Sequence, residues 1–389
     1  MGGTPPNPRT GRRRFVQATG AMLGIGSGLS RAVDATRTAD VRIVEADPDA
    51  GFNYPYLLSV PSAGSIRPDA SILVQPNDTP GGTTDEFEKH LEGARQTMRG
   101  FPRAIADELG VPALVPVFPR PDSDPVDWTH YTHQLDRDTL AIDGGPLERI
   151  DEQLLSMVDH AIDRIEAETG VSVREEIMLN GFSSSGHFAD RFTVLHAERV
   201  LSVTAGGLNG MALLPLAEAN GDALRYQVGI ADVESLTGSP VDLSALSETN
   251  QFLYMGAEDT NDTLPHDDAW TSDALRETAR QVYGDDMTTE RFPFCQTAYE
   301  RAGVAAQFRL YENLGHEYAS EPEIIEFHRR SLAGEDVSVY GRDLEDGAAG
   351  EVDVGGVDVP EQLLETLSAV TVGVLGLFFV YCFRALSDE

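Results

Sequence analysis

The chain has 389 residues, 41% of them hydrophobic, with ordinary amounts of Gly and Pro. That suits one large α/β domain with accessory ends and excludes low-complexity and disordered classes. Its 64 acidic residues face only 29 basic ones, for a formal charge of -35, a surface that repels nucleic acid and anionic lipid. Lys89 is the only lysine. Dense carboxylates with almost no lysine fit adaptation to strong salt, where the Debye length falls to about 3 Å at 1 M. Self-repulsion then predicts a loss of structure in low salt. Cys295 and Cys382 form neither a disulfide framework nor a zinc pattern, and both are read as structural.

In chain order, Thr10-Gly11-Arg12-Arg13-Arg14-Phe15-Val16 precedes a mildly apolar, Gly-rich run from Ala18 to Leu29. Paired arginines, a Phe and a weak apolar core look like a twin-arginine export signal, so residues 1–35 are expected to be an address, with cleavage after Ala35. The catalytic domain is expected over 41–334. It opens with short β-rich runs at Val41–Glu45, Tyr56–Val60 and Ser71–Gln75. Helical patterning follows over Asp85–Leu109, with a break expected at Pro102, and Ala113–Phe118 is another apolar strand. Leu147–Thr169 carries Ile150, Leu154, Val158, Ile162 and Ile165 at helical spacing. Strands are expected at Ile177–Leu179, Val200–Thr204, Phe252–Met255 and Gln307–Tyr311, and helices at Gly186–His196 and Glu323–Leu332. This alternation predicts an α/β class with a mostly parallel central sheet and helices on both faces. Residues 335–363 read as an acidic linker. Thr366–Phe383 has no charge and, at roughly 18 residues, is long enough for a transmembrane helix within 364–386. The expected location is the cell membrane, with the catalytic domain exported and membrane contact through that helix.

The sharpest chemical signal is Ile177-Met178-Leu179-Asn180-Gly181-Phe182-Ser183-Ser184-Ser185-Gly186-His187. A strand running into small residues and then a helix is what a nucleophile elbow needs, because a strained turn tolerates only small residues two before and two after the serine. Ser183 satisfies this with Gly181 and Ser185. Centring on Ser184 puts Phe182 at a small position, and centring on Ser185 puts His187 there. A base belongs after the last strand, where Gly315-His316 follows Phe308-Arg309-Leu310-Tyr311. An acid belongs after the penultimate strand, where Asp259 lies just beyond Gly256, with Asp262 and then Glu258 as alternatives. The backbone N–H of Ser184 is expected in an oxyanion hole, with a second donor from Asn77 or Asp78 in the loop after the third strand. No cofactor and no metal is expected. His130 and His133 have a spacing a metal tolerates but are read as a loop over the site. The acidic loop through Asp267-Asp268 is read as ordinary for so acidic a chain rather than as a calcium site. Trp128, Tyr131 and Trp270 are candidates for lining a pocket.

Together, Gly181-Phe182-Ser183-Ser184-Ser185-Gly186, Gly256 to Asp259 and Gly315-His316, in that order, resemble the α/β-hydrolase superfamily over roughly Val41 to Leu332. Ser185 stands where most members have Gly. The resemblance implies an α/β-hydrolase fold and a serine hydrolase in which Ser183, Asp259 and His316 form a triad. It would act on small-molecule or polymeric carboxylic esters through an acyl-enzyme. The nearest likeness is to carboxylesterases and polyester-depolymerase-like enzymes. A peptidase or acyltransferase on the same scaffold, or a non-catalytic tethered binding protein, are the alternatives.

Overall fold

The computed structural model describes residues 41–341 apart from 79–81, 123, 126–131 and 267–268. Six strands open the fold: β1 Val41–Val44, β2 Tyr56–Ser59, β3 Leu73–Val74, β4 Ala113–Pro116, β5 Ile177–Phe182 and β6 Val200–Gly206. β7 Glu218–Ala219 and β8 Asp222–Ala223 pair with each other, and β9 Asn250–Gly256 and β10 Ala306–Tyr311 complete the main sheet. That sheet has eight strands in the order β1-β2-β4-β3-β5-β6-β9-β10. β2 runs antiparallel to both neighbours, and every pairing from β4 to β10 is parallel. This is an α/β-hydrolase-like fold.

The helices are α1 Phe87–Arg99, α2 Phe101–Leu109, α3 Arg137–Leu140, α4 Ile150–Thr169, α5 Ser184–Leu195, α6 Val233–Thr237, α7 Leu243–Glu248, α8 Asp273–Tyr283, α9 Phe292–Arg301 and α10 Glu321–Ala333. All four residues of β2 and of β4 are buried, so the sheet is covered on both faces. α4 shows how the periodicity works. Ile150, Leu154, Val158, Ile162 and Ile165 are all buried, and each buried aliphatic side chain stabilises the fold by about 1.5–3 kcal/mol. Parallel strands place the carboxyl ends of β5, β6, β9 and β10 along one edge, and the loops leaving that edge carry the candidate site.

Several boundaries differ from expectation, two of them instructively. The helical stretch breaks at Gly100, not at Pro102. Pro102 sits in the first turn of α2, where its missing N–H costs nothing. The fold also runs past residue 334 into the stretch read as linker. A 3-10 turn, Ser338–Tyr340, buries Tyr340 against Phe252 and Phe327. The signal segment, the rest of the linker and the apolar stretch 364–386 lie outside the described residues. Among the described residues, no helix is long and apolar enough to cross a membrane.

Candidate active site

β5 ends at Phe182 and α5 begins at Ser184, so a single residue makes the whole reversal. Ser183 adopts φ 57, ψ -120, a strained conformation that a side chain takes only where its surroundings enforce it. Its N–H donates to Gly206 O at 2.8 Å, and its carbonyl accepts from the N–H of His187 at 3.0 Å. The tight packing needs glycine on either side. A Cβ at Gly181 would fall 2.2 Å from Ser185 O, and one at Gly186 would fall 2.5 Å from Gly206 O. Ser185 replaces the expected glycine without strain because its side chain works inside the turn. Its Oγ donates to Phe182 O and accepts from Phe182 N, both at 3.0 Å.

The structure brings Ser183, Asp259 and His316 together. His316 Nε2 lies 2.9 Å from Ser183 Oγ, and His316 Nδ1 lies 2.8 Å from Asp259 Oδ2. The loops carrying acid and imidazole are tied to each other, with Ala257 N–H donating to Tyr311 O and Glu258 N–H to Leu314 O, both at 2.9 Å. Asp259 is buried and its other oxygen accepts from Asn261 N–H at 2.8 Å. Phe182 packs its ring 4.7 Å from the imidazole. The arrangement is chemically able to move a proton from the hydroxyl to the ring, with the carboxylate fixing the tautomer.

The alternatives fall elsewhere. Ser184 Oγ is buried with no hydrogen-bond partner among the described residues, and Ser185 Oγ is committed to the turn. Glu258 is exposed. Asp262 instead receives both Nη atoms of the buried Arg291, at 2.7 and 3.0 Å. Arg291 also donates to Asn209 O, Gly284 O and Asp285 O, so it clamps the acid loop to the loop after β6. Asn261 Nδ2 also lies 3.3 Å from His316 Nε2. Neither Arg291 nor Asn261 carries a local sequence signal, because Arg291 and the Asn261 side chain act through partners far along the chain or on another loop.

At the expected oxyanion hole, the N–H of Ser184 stands at the N-terminus of α5, where the helix dipole favours negative charge. The Asn77 side chain is spent on structure, donating to Phe118 O at 2.9 Å and accepting from Phe118 N–H at 3.2 Å. Asp78 Oδ1 lies 3.4 Å from His133 Nδ1, at ion-pair distance. His133 is buried, with Nε2 3.2 Å from Phe118 O, so its ring braces this loop. His130, Trp128, Tyr131, Asp267 and Asp268 lie outside the described residues.

Behind the elbow runs a buried polar ladder. Gln75 donates to Ser185 Oγ and accepts from Asn180, Thr204 donates to Asn180, and His328 sits between Ser202 and Thr204. Among the described residues one trio, Asp151, Glu152 and His196, is spaced as metal ligands are, but Arg149 already ion-pairs with both of its carboxylates. Burial would raise the Asp151 carboxyl, yet hydrogen bonds from His196 and Arg149 hold it at about 2. That is a buried ion pair with its own compensation.

No family model and no curated protein matches this chain. Similar solved structures include an S-formylglutathione hydrolase from Agrobacterium tumefaciens, 13% identical, covering 79% of this chain and 98% of that one at a TM-score of 0.45. Others are poly(aspartic acid) hydrolase-1 from Sphingomonas sp. KT-1, 17% identical over 76% and 98% at 0.44, and a poly(3-hydroxybutyrate) depolymerase from Bordetella parapertussis, 17% identical over 78% and 93% at 0.44. Similarity at this level assigns no chemistry. The strand order and site geometry above are properties of this chain itself.

Proposed function

We propose that this protein is a serine hydrolase acting on carboxylic esters. Ser183 Oγ attacks the carbonyl as His316 takes its proton, the alcohol leaves with a proton returned by His316, and water activated by the same ring releases the acid. Asp259 holds the imidazole and stabilises its charged form. The Ser184 N–H stabilises the developing oxyanion, joined by a donor from the Asn77–Asp78 loop. The observation that carries this reading is the imidazole bridging a strained serine and a buried carboxylate.

The test is pre-steady-state hydrolysis of a para-nitrophenyl ester in high salt. An initial burst of para-nitrophenol matching the enzyme concentration, followed by slower turnover, is expected for an acyl-enzyme. Folded protein with neither burst nor turnover would favour the non-catalytic binding protein instead. Burst with transfer to added alcohols or amines would identify an acyltransferase, and turnover of anilides over esters a peptidase.

The same proposal places the enzyme outside the cytoplasm, exported through the arginine pair Arg12-Arg13 and held at the membrane by the apolar run 366–383. Fractionation of cells expressing the chain with and without Arg12→Lys plus Arg13→Lys, and with the run deleted, tests each part. The expected outcomes are retention inside for the first and release from membranes for the second.

A further inference from the structure

The imidazole of His316 is enclosed on several sides. Asp259 holds Nδ1, the Phe182 ring packs 4.7 Å away, and a Cβ at Gly207 would fall 3.1 Å from Cε1. Nε2 is the nitrogen that exchanges protons in the proposed reaction. Among the described residues, two polar side chains stand beside it. One is Ser183, with Oγ at 2.9 Å, and the other is Asn261, with Nδ2 at 3.3 Å. His316 and Asn261 are both half-buried, so solvent reaches this corner of the site.

The loop that carries Asn261 is fixed on both sides of it. Asn261 N–H donates to Oδ1 of the buried Asp259 at 2.8 Å, so the acid that orients the ring also anchors the residue beside it. Asp262 N–H donates to Thr260 O at 3.0 Å, and the Asp262 carboxylate is held by both Nη atoms of Arg291. Thr263 is engaged elsewhere. Its hydroxyl accepts from Asn209, and its carbonyl accepts from Nε1–H of the buried Trp270. A ring acting as general base has one lone pair on Nε2, and the Ser183 hydroxyl, the nearer donor, fills it. Asn261 is redundant while that hydroxyl keeps its proton. Once Ser183 is acylated, its oxygen has no proton to donate. Asn261 is then the polar side chain left beside Nε2.

We propose that Asn261 positions the water that releases the acid from the acyl-enzyme. The inference rests on the serine-hydrolase reading of Ser183. The water is held between Nε2 and the amide, which donates through its NH2 or accepts through its oxygen, so either orientation of the side chain serves. The water oxygen bonds to the acyl carbonyl carbon as one of its protons passes to Nε2. The bond from that carbon to Ser183 Oγ then breaks, and the proton on Nε2 returns to Oγ. In acylation the attacking oxygen belongs to Ser183 and is held by the backbone of the elbow. A water is held only by its hydrogen bonds, and small losses of position are costly in rate. Asn261 therefore acts in the second half of the reaction and not in the first.

The experiment separates the two halves with a para-nitrophenyl ester in high salt, in wild type and Asn261→Leu. Leucine keeps the shape and removes both hydrogen-bonding ends. Stopped-flow release of para-nitrophenol gives the rate of acylation, and intact mass of quenched samples gives the decay of the acyl-enzyme. Decay in the variant is expected to be slower by about tenfold or more. Acylation is expected to stay within about threefold of wild type, so that kcat falls while kcat/KM holds. Where acylation limits wild type, the variant is expected to gain a burst that wild type lacks, and no gain overturns the proposal. Equal slowing of both steps would make Asn261 a brace for the imidazole, and that too overturns it. If Asn261→Leu does not fold, Asn261→Ala is read in the same way. A wild type that neither turns over esters nor takes up the acyl group fails the hydrolase reading itself. Active wild type with decay unchanged in the variant fails this inference alone.

Discussion

Two histidines in this fold are each held at both ring nitrogens, and their surroundings differ in one decisive way. His328 lies on α10 against β6, fully buried, with Ser202 Oγ 2.8 Å from Nδ1 and Thr204 Oγ1 3.2 Å from Nε2. His316 lies at the mouth, where its side chain is 27% exposed, between the Ser183 hydroxyl and the Asp259 carboxylate. Burial among hydroxyls pushes the His328 ring down to about 3, so it stays neutral as a structural hydrogen-bonding piece. A buried carboxylate at the other ring makes the protonated form tolerable, which a general base needs. On the proposed mechanism, full burial makes the ring a brace in one place, and exposure beside a carboxylate makes it a proton carrier in the other.

That contrast is open to direct attack. Removing the hydroxyl with Ser183→Ala is expected to lower kcat by roughly a millionfold, read in a purified, folded variant against a para-nitrophenyl ester. Asp259→Asn turns the mouth into a site more like that of His328. It keeps the shape but removes the charge, and is expected to cost about ten-thousandfold in kcat. A loss below tenfold would mean that the carboxylate is not what separates the two rings. Arg291→Met leaves Asp262 without its partner and frees the acid loop. It is expected to cost about 3 kcal/mol in urea unfolding, together with a fall in kcat, whereas a purely local brace would change stability alone.

The buried ring makes a pH prediction. The unfolded chain binds a proton at His328 below its ordinary value of 6.5, and the folded chain does so only below about 3. Stability from this group therefore falls as pH drops through that window, by up to about 1.4 kcal/mol per unit. Asp190 works in the opposite sense, because burial lifts its carboxyl to about 7 from an ordinary 3.8. The folded state then holds an extra proton between those values, and its contribution is lost as pH rises through them. The stability advantage of wild type over His328→Gln is expected to be largest near neutral pH and to shrink toward pH 3. A constant offset across that range would contradict a neutral buried ring. Smallest of all, Ser185→Ala removes one side-chain bridge in the elbow and is expected to cost about 1 kcal/mol.

The sequence made legible those features whose signal is local. The strand-to-turn run Asn180-Gly181 and the small residues to Gly186 mark the elbow, since close packing dictates residue size there. Gly256 and Gly315-His316 mark strand ends. Features that act across the chain were not legible. Arg291 and Asp262 are joined only by folding, and neither sits in a distinctive pattern. Gln75, Asn180 and Thr204 look like ordinary polar residues in short strands until the sheet stacks them side by side.

The most direct measurement is fluorophosphonate labelling in high salt, read by intact mass and by the site of the adduct, in wild type, Ser183→Ala, Ser184→Ala and Ser185→Ala. The account predicts one adduct per chain at Ser183, lost only in Ser183→Ala while all four proteins remain folded. An adduct that persists in Ser183→Ala, or folded wild type that takes up no label, would contradict it.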